Sequence, residues 1–181
     1  MRRRELNADD IRTLLAELGS RLHERGVDAT IYIVGGAAMA LEFDSRRVTT
    51  DIDAVFHPQT TVREQAEAMA LEHGLPPDWL SDAVRAFVPG DDAGAIALSV
   101  PGLSVALASA EHLLAMKMAA FRPTDIADLE VLFRELEVSR AEQAADIALT
   151  VYGEHSVVLP GRDELILTAQ AVIERLRGPS A

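Results

Sequence analysis

Residues 34–56, VGGAAMALEFDSRRVTTDIDAVF, decide how this chain is read: a Gly-Gly pair follows one apolar run, and an Asp-Ile-Asp triplet opens the next. Successive strand residues point to opposite faces, so in a strand Asp51 and Asp53 share one face and Ile52 takes the other. Two carboxylates held side by side repel each other, and a cation relieves that repulsion. Mg²⁺ takes hard oxygen ligands, commonly one or two protein carboxylates together with the phosphates of a substrate. Gly35 and Gly36 stand ahead of a short helix containing Ala37, Ala38 and Ala40, and they let backbone N–H groups approach a triphosphate. Taken singly, these features have plainer explanations. An Asp-x-Asp on a half-exposed strand is commonly solvated, and a Gly-Gly pair is commonly a turn. Their conjunction points to phosphate and metal chemistry. Ala54, Val55 and Phe56 continue as a buried run, so the acids are expected where a core strand emerges into a cleft.

The 181 residues are 49% apolar, enough for one domain of ordinary size with a real core. Cysteine is absent, which excludes disulfides, thiolate metal sites and cysteine nucleophiles. Any metal is therefore held by oxygen or histidine. His23, His57, His73, His112 and His155 are scattered without metal-ligand spacing, and none is assigned to catalysis. A formal net charge of −12 argues against a surface that coats nucleic acid, because phosphate binding is driven by Lys and Arg. A nucleic-acid substrate needs a local basic patch, for which Arg46, Arg47, Arg85 and Arg122 are the candidates, with Arg2, Arg3 and Arg4 as a flexible arm. No apolar run approaches the roughly 18 to 20 residues of a membrane span. The Met-Arg-Arg-Arg start leads into an amphipathic helix and not into a signal-peptide core, so a cytoplasmic protein with no membrane partner is expected.

Outward from the opening stretch, the periodicity changes twice. Leu6, Ile11, Leu14, Leu15, Leu18 and Leu22 recur at helical spacing, with Asn7 as N-cap and Asp9 and Asp10 in the first turn. Residues 30–34 and 51–56 are strands, and 60–72 a helix ended by Gly74 and Pro76-Pro77. A further short element begins at Asp78-Trp79-Leu80, where Trp79 is expected to anchor the sheet from beneath. Two strands, 95–100 and 103–108, are joined by the tight turn Pro101-Gly102. From Ser109 onward the pattern is helical, over 110–121, 124–136, 139–152 and 162–177. The expected class is α+β: a small mixed sheet flanked by helices, followed by a C-terminal helical bundle. The break at Pro123 divides a core of residues 1–122 from a helical lobe of 123–181 packed on it.

Several segments, in this order and spacing, resemble the DNA polymerase β-like nucleotidyltransferase superfamily, and within it the AbiEii/MenT-like toxin branch of bacterial toxin–antitoxin systems. They are the Gly-Gly turn with its helix, Arg47-Val-Thr-Thr-Asp-Ile-Asp53, Leu75-Pro-Pro-Asp-Trp-Leu80, Glu111-His-Leu-Leu-Ala-Met-Lys117 and Arg122-Pro-Thr-Asp-Ile-Ala-Asp128. The resemblance covers about residues 30–135. It implies a nucleotidyltransferase-like core in which Asp51 and Asp53 ligate Mg²⁺ and Gly35 and Gly36 receive the phosphates of an NTP. Lys117 is implied to contact the triphosphate. A lysine between Met116 and Met118 on an apolar helix must bring its ammonium to an anion or snorkel to water. Asp125 and Asp128 share a helical face, as part of the catalytic set or as favourable charge in a first turn capped by Thr124.

Two departures from the pattern stand out. Such transferases usually carry a third acid on a later strand, and neither 95–100 nor 103–108 contains one. Asp125 or Asp128 substitutes for it, or the acceptor is activated without it. Ala37 stands where many relatives place a hydroxyl residue after the glycines. Arg47 is a candidate to neutralise phosphate charge. The resemblance further implies transfer of an NMP to the 3′ end of tRNA, a cognate antitoxin as partner, and silencing by phosphorylation at Thr49 or Thr50. A small cationic acceptor of the aminoglycoside type and a non-catalytic binding module of a toxin–antitoxin pair are the alternatives.

Overall fold

The computed structural model describes residues 4–178; Arg2 and Arg3 of the expected basic arm lie outside them. By internal contacts the chain forms two compact units, residues 1–86 with 95–108, and residues 87–94 with 109–181. The second unit thus begins earlier in the chain than the break at Pro123, because the helix before that proline packs with the helices that follow it.

The first unit opens with α1, Ala8–Glu24, whose N-cap is Asn7. The Asn7 Oδ1 atom accepts from the N–H groups of Asp9 and Asp10, both at 2.9 Å, and Asp10 returns a bond from its carboxylate to the Asn7 N–H at 3.1 Å. Ile11, Leu15, Leu18 and Leu22 form its buried stripe. Strand β1, Thr30–Ile33, leads into α2, Gly35–Ala38, which widens into a π-turn over Met39–Phe43. Then follow β2, Ile52–His57; α3, Gln59–His73; and a two-residue β3, Leu80–Ser81. A 3₁₀ turn over Ala83–Phe87 precedes the hairpin of β4, Ile96–Val100, and β5, Leu103–Leu107.

These strands make one mixed sheet in the order β3-β2-β1-β5-β4. β1 runs antiparallel to β2 and parallel to β5. Helices α1 and α3 cover one face, where Ile31, Ile33, Ile52, Ala54, Phe56, Val105 and Leu107 are buried. The alternate residues of each strand point to the other face and are half-buried or exposed. Trp79 lies fully buried, its indole N–H donating to the Ala66 carbonyl of α3 at 2.8 Å, as an anchor and not a stacking platform.

In the second unit, α4, Ala110–Ala120, packs on α6, Ala141–Tyr152, and on α5, Ile126–Glu135, while α7, Arg162–Arg177, packs on α6. Ser109 caps α4 through its hydroxyl, which accepts from the His112 N–H at 3.2 Å. The segment 87–94 is tied to this bundle: Asp92 accepts from the Ser109 N–H at 2.8 Å, and the Tyr152 hydroxyl donates to the Phe87 carbonyl at 2.7 Å. Burial pushes the Tyr152 phenol up to about 12. Among the described residues, no helix is long and apolar enough to cross a membrane.

Candidate active site

The site residues expected from the sequence fall into two clusters, one in each unit. In the first unit the segment leading into β2 is clamped before the strand begins. Leu6 and Thr49 exchange backbone hydrogen bonds of 2.7 and 3.0 Å, and the Ile52 N–H donates to the Trp79 carbonyl at 2.7 Å. Trp79 therefore fixes the backbone between the two acids. Ile52 is fully buried while Asp51 and Asp53 are half-buried; alternation along β2 turns Asp53 to the face opposite Ile52, and Asp51 sits in the bend just ahead of the strand, which begins one residue later than expected.

The Gly-Gly turn lies against this pair. The Val34 N–H donates to the Asp53 carbonyl at 2.9 Å, and a Cβ added to Gly35 would sit 3.5 Å from Asp53 Oδ2. Gly35 has φ +62°, a left-handed conformation that costs a side-chain-bearing residue about 1–2 kcal/mol. A Cβ on Gly36 would come within 2.9 Å of the Thr49 hydroxyl and 3.7 Å of Arg47 Nη2. The Thr49 hydroxyl donates to the Asp51 carbonyl at 3.1 Å and lies 3.5 Å from the Asp51 carboxylate. Arg47 donates from Nη1 to the Val48 carbonyl at 2.7 Å. Gly35, Gly36, Arg47, Thr49, Asp51 and Asp53 thus converge, and Thr50 is half-buried in the same lead-in. The approach of Thr49 to Gly36 escaped the sequence reading, since it depends on pairings between distant segments such as the Leu6 to Thr49 bridge.

Lys117 belongs to the second cluster. It is buried on α4, and its ammonium donates to Asp128 Oδ2 at 2.7 Å and to Asp125 Oδ1 at 3.1 Å. Snorkelling to water does not occur, because two carboxylates of the same unit reach the ammonium. A buried charge is tolerated only with such pairing. Thr124 is not a helix cap: Pro123–Asp125 forms a 3₁₀ turn, and Asp125 Oδ2 accepts from the Arg122 N–H at 3.1 Å.

On the open face of the sheet, β4 and β5 contribute Ala97, Ser99, Ser104 and Ala106, with no acid on either strand. Of the other arginines proposed for a basic patch, Arg46 pairs with Asp44 at 3.6 Å and Arg4 with Asp10 at 3.0 Å. Arg85 donates to the Phe56 carbonyl at 2.9 Å. The histidines serve structure where their partners are seen. His112 contacts Asp92 at 3.3 Å, and His73 contacts Glu17 at 2.9 Å. Ligand atoms of Glu17, Glu72 and His73 lie within 4.8 Å of one another. However, Arg21 donates to Glu17 and Glu72, at 3.0 Å each, so a guanidinium already serves the two carboxylates.

A family model described as a nucleotidyltransferase of unknown function (DUF6036) matches residues 10–156. The chain belongs to this family. The matched span contains every member of both clusters and all five strands. No curated protein matches the sequence. Among solved structures, an antigenic nucleotidyltransferase-like protein from Paracoccidioides brasiliensis is similar at 16% identity, over 93% of this chain and 95% of that chain, with a TM-score of 0.48.

Proposed function

We propose that this DUF6036 nucleotidyltransferase moves an NMP from an NTP to an acceptor hydroxyl, releasing pyrophosphate, and that it acts as the toxin of a toxin–antitoxin system on the 3′ end of tRNA. The observation that carries the transfer reading is the placement of the Asp53 carboxylate beside the left-handed Gly35, where a Cβ would stand in van der Waals contact at 3.5 Å. Bare backbone beside a carboxylate pair leaves room for a triphosphate and offers N–H donors to it. The donor set suits Mg²⁺, since Asp53 on β2 and Asp51 just ahead of it offer hard carboxylate oxygens. Held there, the ion would neutralise phosphate charge during the displacement.

The acceptor oxygen attacks the α-phosphorus, the bond to the bridging oxygen of the β-phosphate breaks, and pyrophosphate leaves with the electron pair. The hydroxyl proton passes to a base or to solvent. Arg47, beside Gly36, balances charge on the phosphates. Thr49 supports the reading in a second way: its hydroxyl reaches the glycine turn that Ala37 leaves without one. Phosphorylation of Thr49 or Thr50, catalysed through a cognate antitoxin, would place about −1.5 to −2 charge beside Asp51 and repel the triphosphate. Lys117, Asp125 and Asp128 enter this reading through the AbiEii/MenT-like resemblance.

Incubation with each labelled NTP and total RNA, with and without Mg²⁺, is the test. Mg²⁺-dependent label on tRNA is the expected result. The net charge of −12 favours the second reading, a cationic aminoglycoside-type acceptor. Label on an aminoglycoside and not on tRNA would establish it. Neither product, together with no Mg²⁺-dependent NTP binding, would leave a non-catalytic binding module.

A further inference from the structure

A groove of about 650 Å³ runs over the open face of the sheet in the first unit. Register divides its floor into two cross-strand rows. Val55, Tyr32, Ala106 and Ala97 stand side by side across β2, β1, β5 and β4, and His57, Thr30, Ser104 and Ser99 form the next row. Asp53 lies on the same face of β2, one row above Val55. Rows two residues apart are about 7 Å apart. Going down the sheet from the acid, the surface thus offers one aromatic ring flanked by small side chains, then a line of three hydroxyls ending in an imidazole.

Charge distinguishes this groove from the rest of the molecule. None of its lining residues is acidic, although the chain as a whole carries −12. Arg85 closes the β2 side: its Nη2 donates to the Phe56 carbonyl, using one of the five donors of the guanidinium. A polycation would find no counter-charge in these rows. An anionic chain finds Arg85 and His57, three hydroxyls for sugar and phosphate oxygens, and Tyr32 as a stacking surface.

We propose that this groove binds the single-stranded 3′ end of an RNA acceptor, with its terminal base over Tyr32, its sugar-phosphate chain along Thr30, Ser104 and Ser99, its phosphate charge met by Arg85, and His57 as a further hydrogen-bonding group. The proposal rests on the transferase reading for its direction, since the terminal hydroxyl then lies at the Asp53 end. It gives the acidic chain a local site for a polyanion, which net charge alone argues against.

The test reads RNA binding without NTP: fluorescence anisotropy of a short, labelled single-stranded RNA ending in CCA, at several salt concentrations. Arg85→Glu should weaken binding by about tenfold or more and make it less steeply salt-dependent. Tyr32→Ala should weaken it by at least about fivefold, the scale of one lost stacking contact. Arg162→Glu, the same charge change on an exposed helix of the second unit, should leave it near wild type. Far-UV circular dichroism and melting of each variant guard against unfolding. Equal losses for Arg85→Glu and Arg162→Glu, wild-type binding by both groove variants, or no RNA binding at low salt would overturn the proposal. NTP binding is followed separately by calorimetry. Its absence in the wild type would sink the transferase reading while the RNA measurement still decides the groove.

Discussion

Asp51 and Asp53 lie two residues apart at the head of a strand, and Asp125 and Asp128 lie three apart at the start of a helix. Either spacing can bring two carboxylates to a common face, yet the surroundings differ. Asp125 and Asp128 enclose Lys117, whose ammonium is buried between α4 and α5. Asp53 borders the left-handed Gly35, and Asp51 the Thr49 hydroxyl. A carboxylate pair that grips a lysine from its own core is built first for cohesion. Under the proposed function, the pair set against the glycine turn is the one that meets the triphosphate.

The comparison breaks most decisively at the first pair. Asp51→Ala or Asp53→Ala should lower NMP transfer by about a thousandfold or more, since an incomplete shell forfeits several kcal/mol of charge stabilisation. Melting should stay close to wild type. Labelled NTP assays beside thermal melts check this, and retained transfer in both variants would remove the acid pair from the site. At the second pair the prediction is reversed. Lys117→Met removes the ammonium that Asp125 and Asp128 share and should cost about 3–5 kcal/mol of stability by urea denaturation. Adding Asp125→Asn and Asp128→Asn should restore much of it. If Lys117→Met keeps its stability and loses only transfer, the triphosphate role is supported instead.

A smaller effect sharpens the account of the glycine turn. Gly36→Ala places a methyl 2.9 Å from the Thr49 hydroxyl, and overpacking of this kind costs about 1–3 kcal/mol. Thr49→Ala in the same chain should recover part of it, because it removes the hydroxyl 2.9 Å from the new methyl. The smallest effect lies on the surface, away from both pairs. The hydrogen bond from His73, opposed by burial and aided by Arg21, holds the Glu17 carboxyl below the usual range. A carboxyl with a depressed folded pKa contributes stability above its unfolded value, near 4.3. That contribution is lost as pH falls through the lower folded value. Denaturation midpoints at pH 5 and below should therefore drop less steeply for His73→Ala than for the wild type.

Most elements were legible in the sequence. The strands at 30–34, 51–56, 95–100 and 103–108 and the four C-terminal helices match the structure closely at their boundaries. Asn7 was legible as a cap because its side chain bonds within three residues of itself. Thr124 was misjudged by the same local logic. Pro123 begins a 3₁₀ turn there, and the Asp125 carboxylate is drawn to the Arg122 N–H and to Lys117. The partners of Lys117 were less legible, since an apolar helix with one lysine does not state which carboxylate will meet it.

By itself, the sequence determined the order of elements and the place of the glycine turn, because periodicity and chirality act between near neighbours in the chain. Only the tertiary structure decided that the Trp79 carbonyl holds the Ile52 N–H and that Thr49 leans on Gly36. It alone ranked Tyr32 beside Val55 and Ala106 in one row of the open face. Those contacts depend on strand register and on which segments pair across the sheet. A shift of one residue would turn each of these side chains to the opposite face.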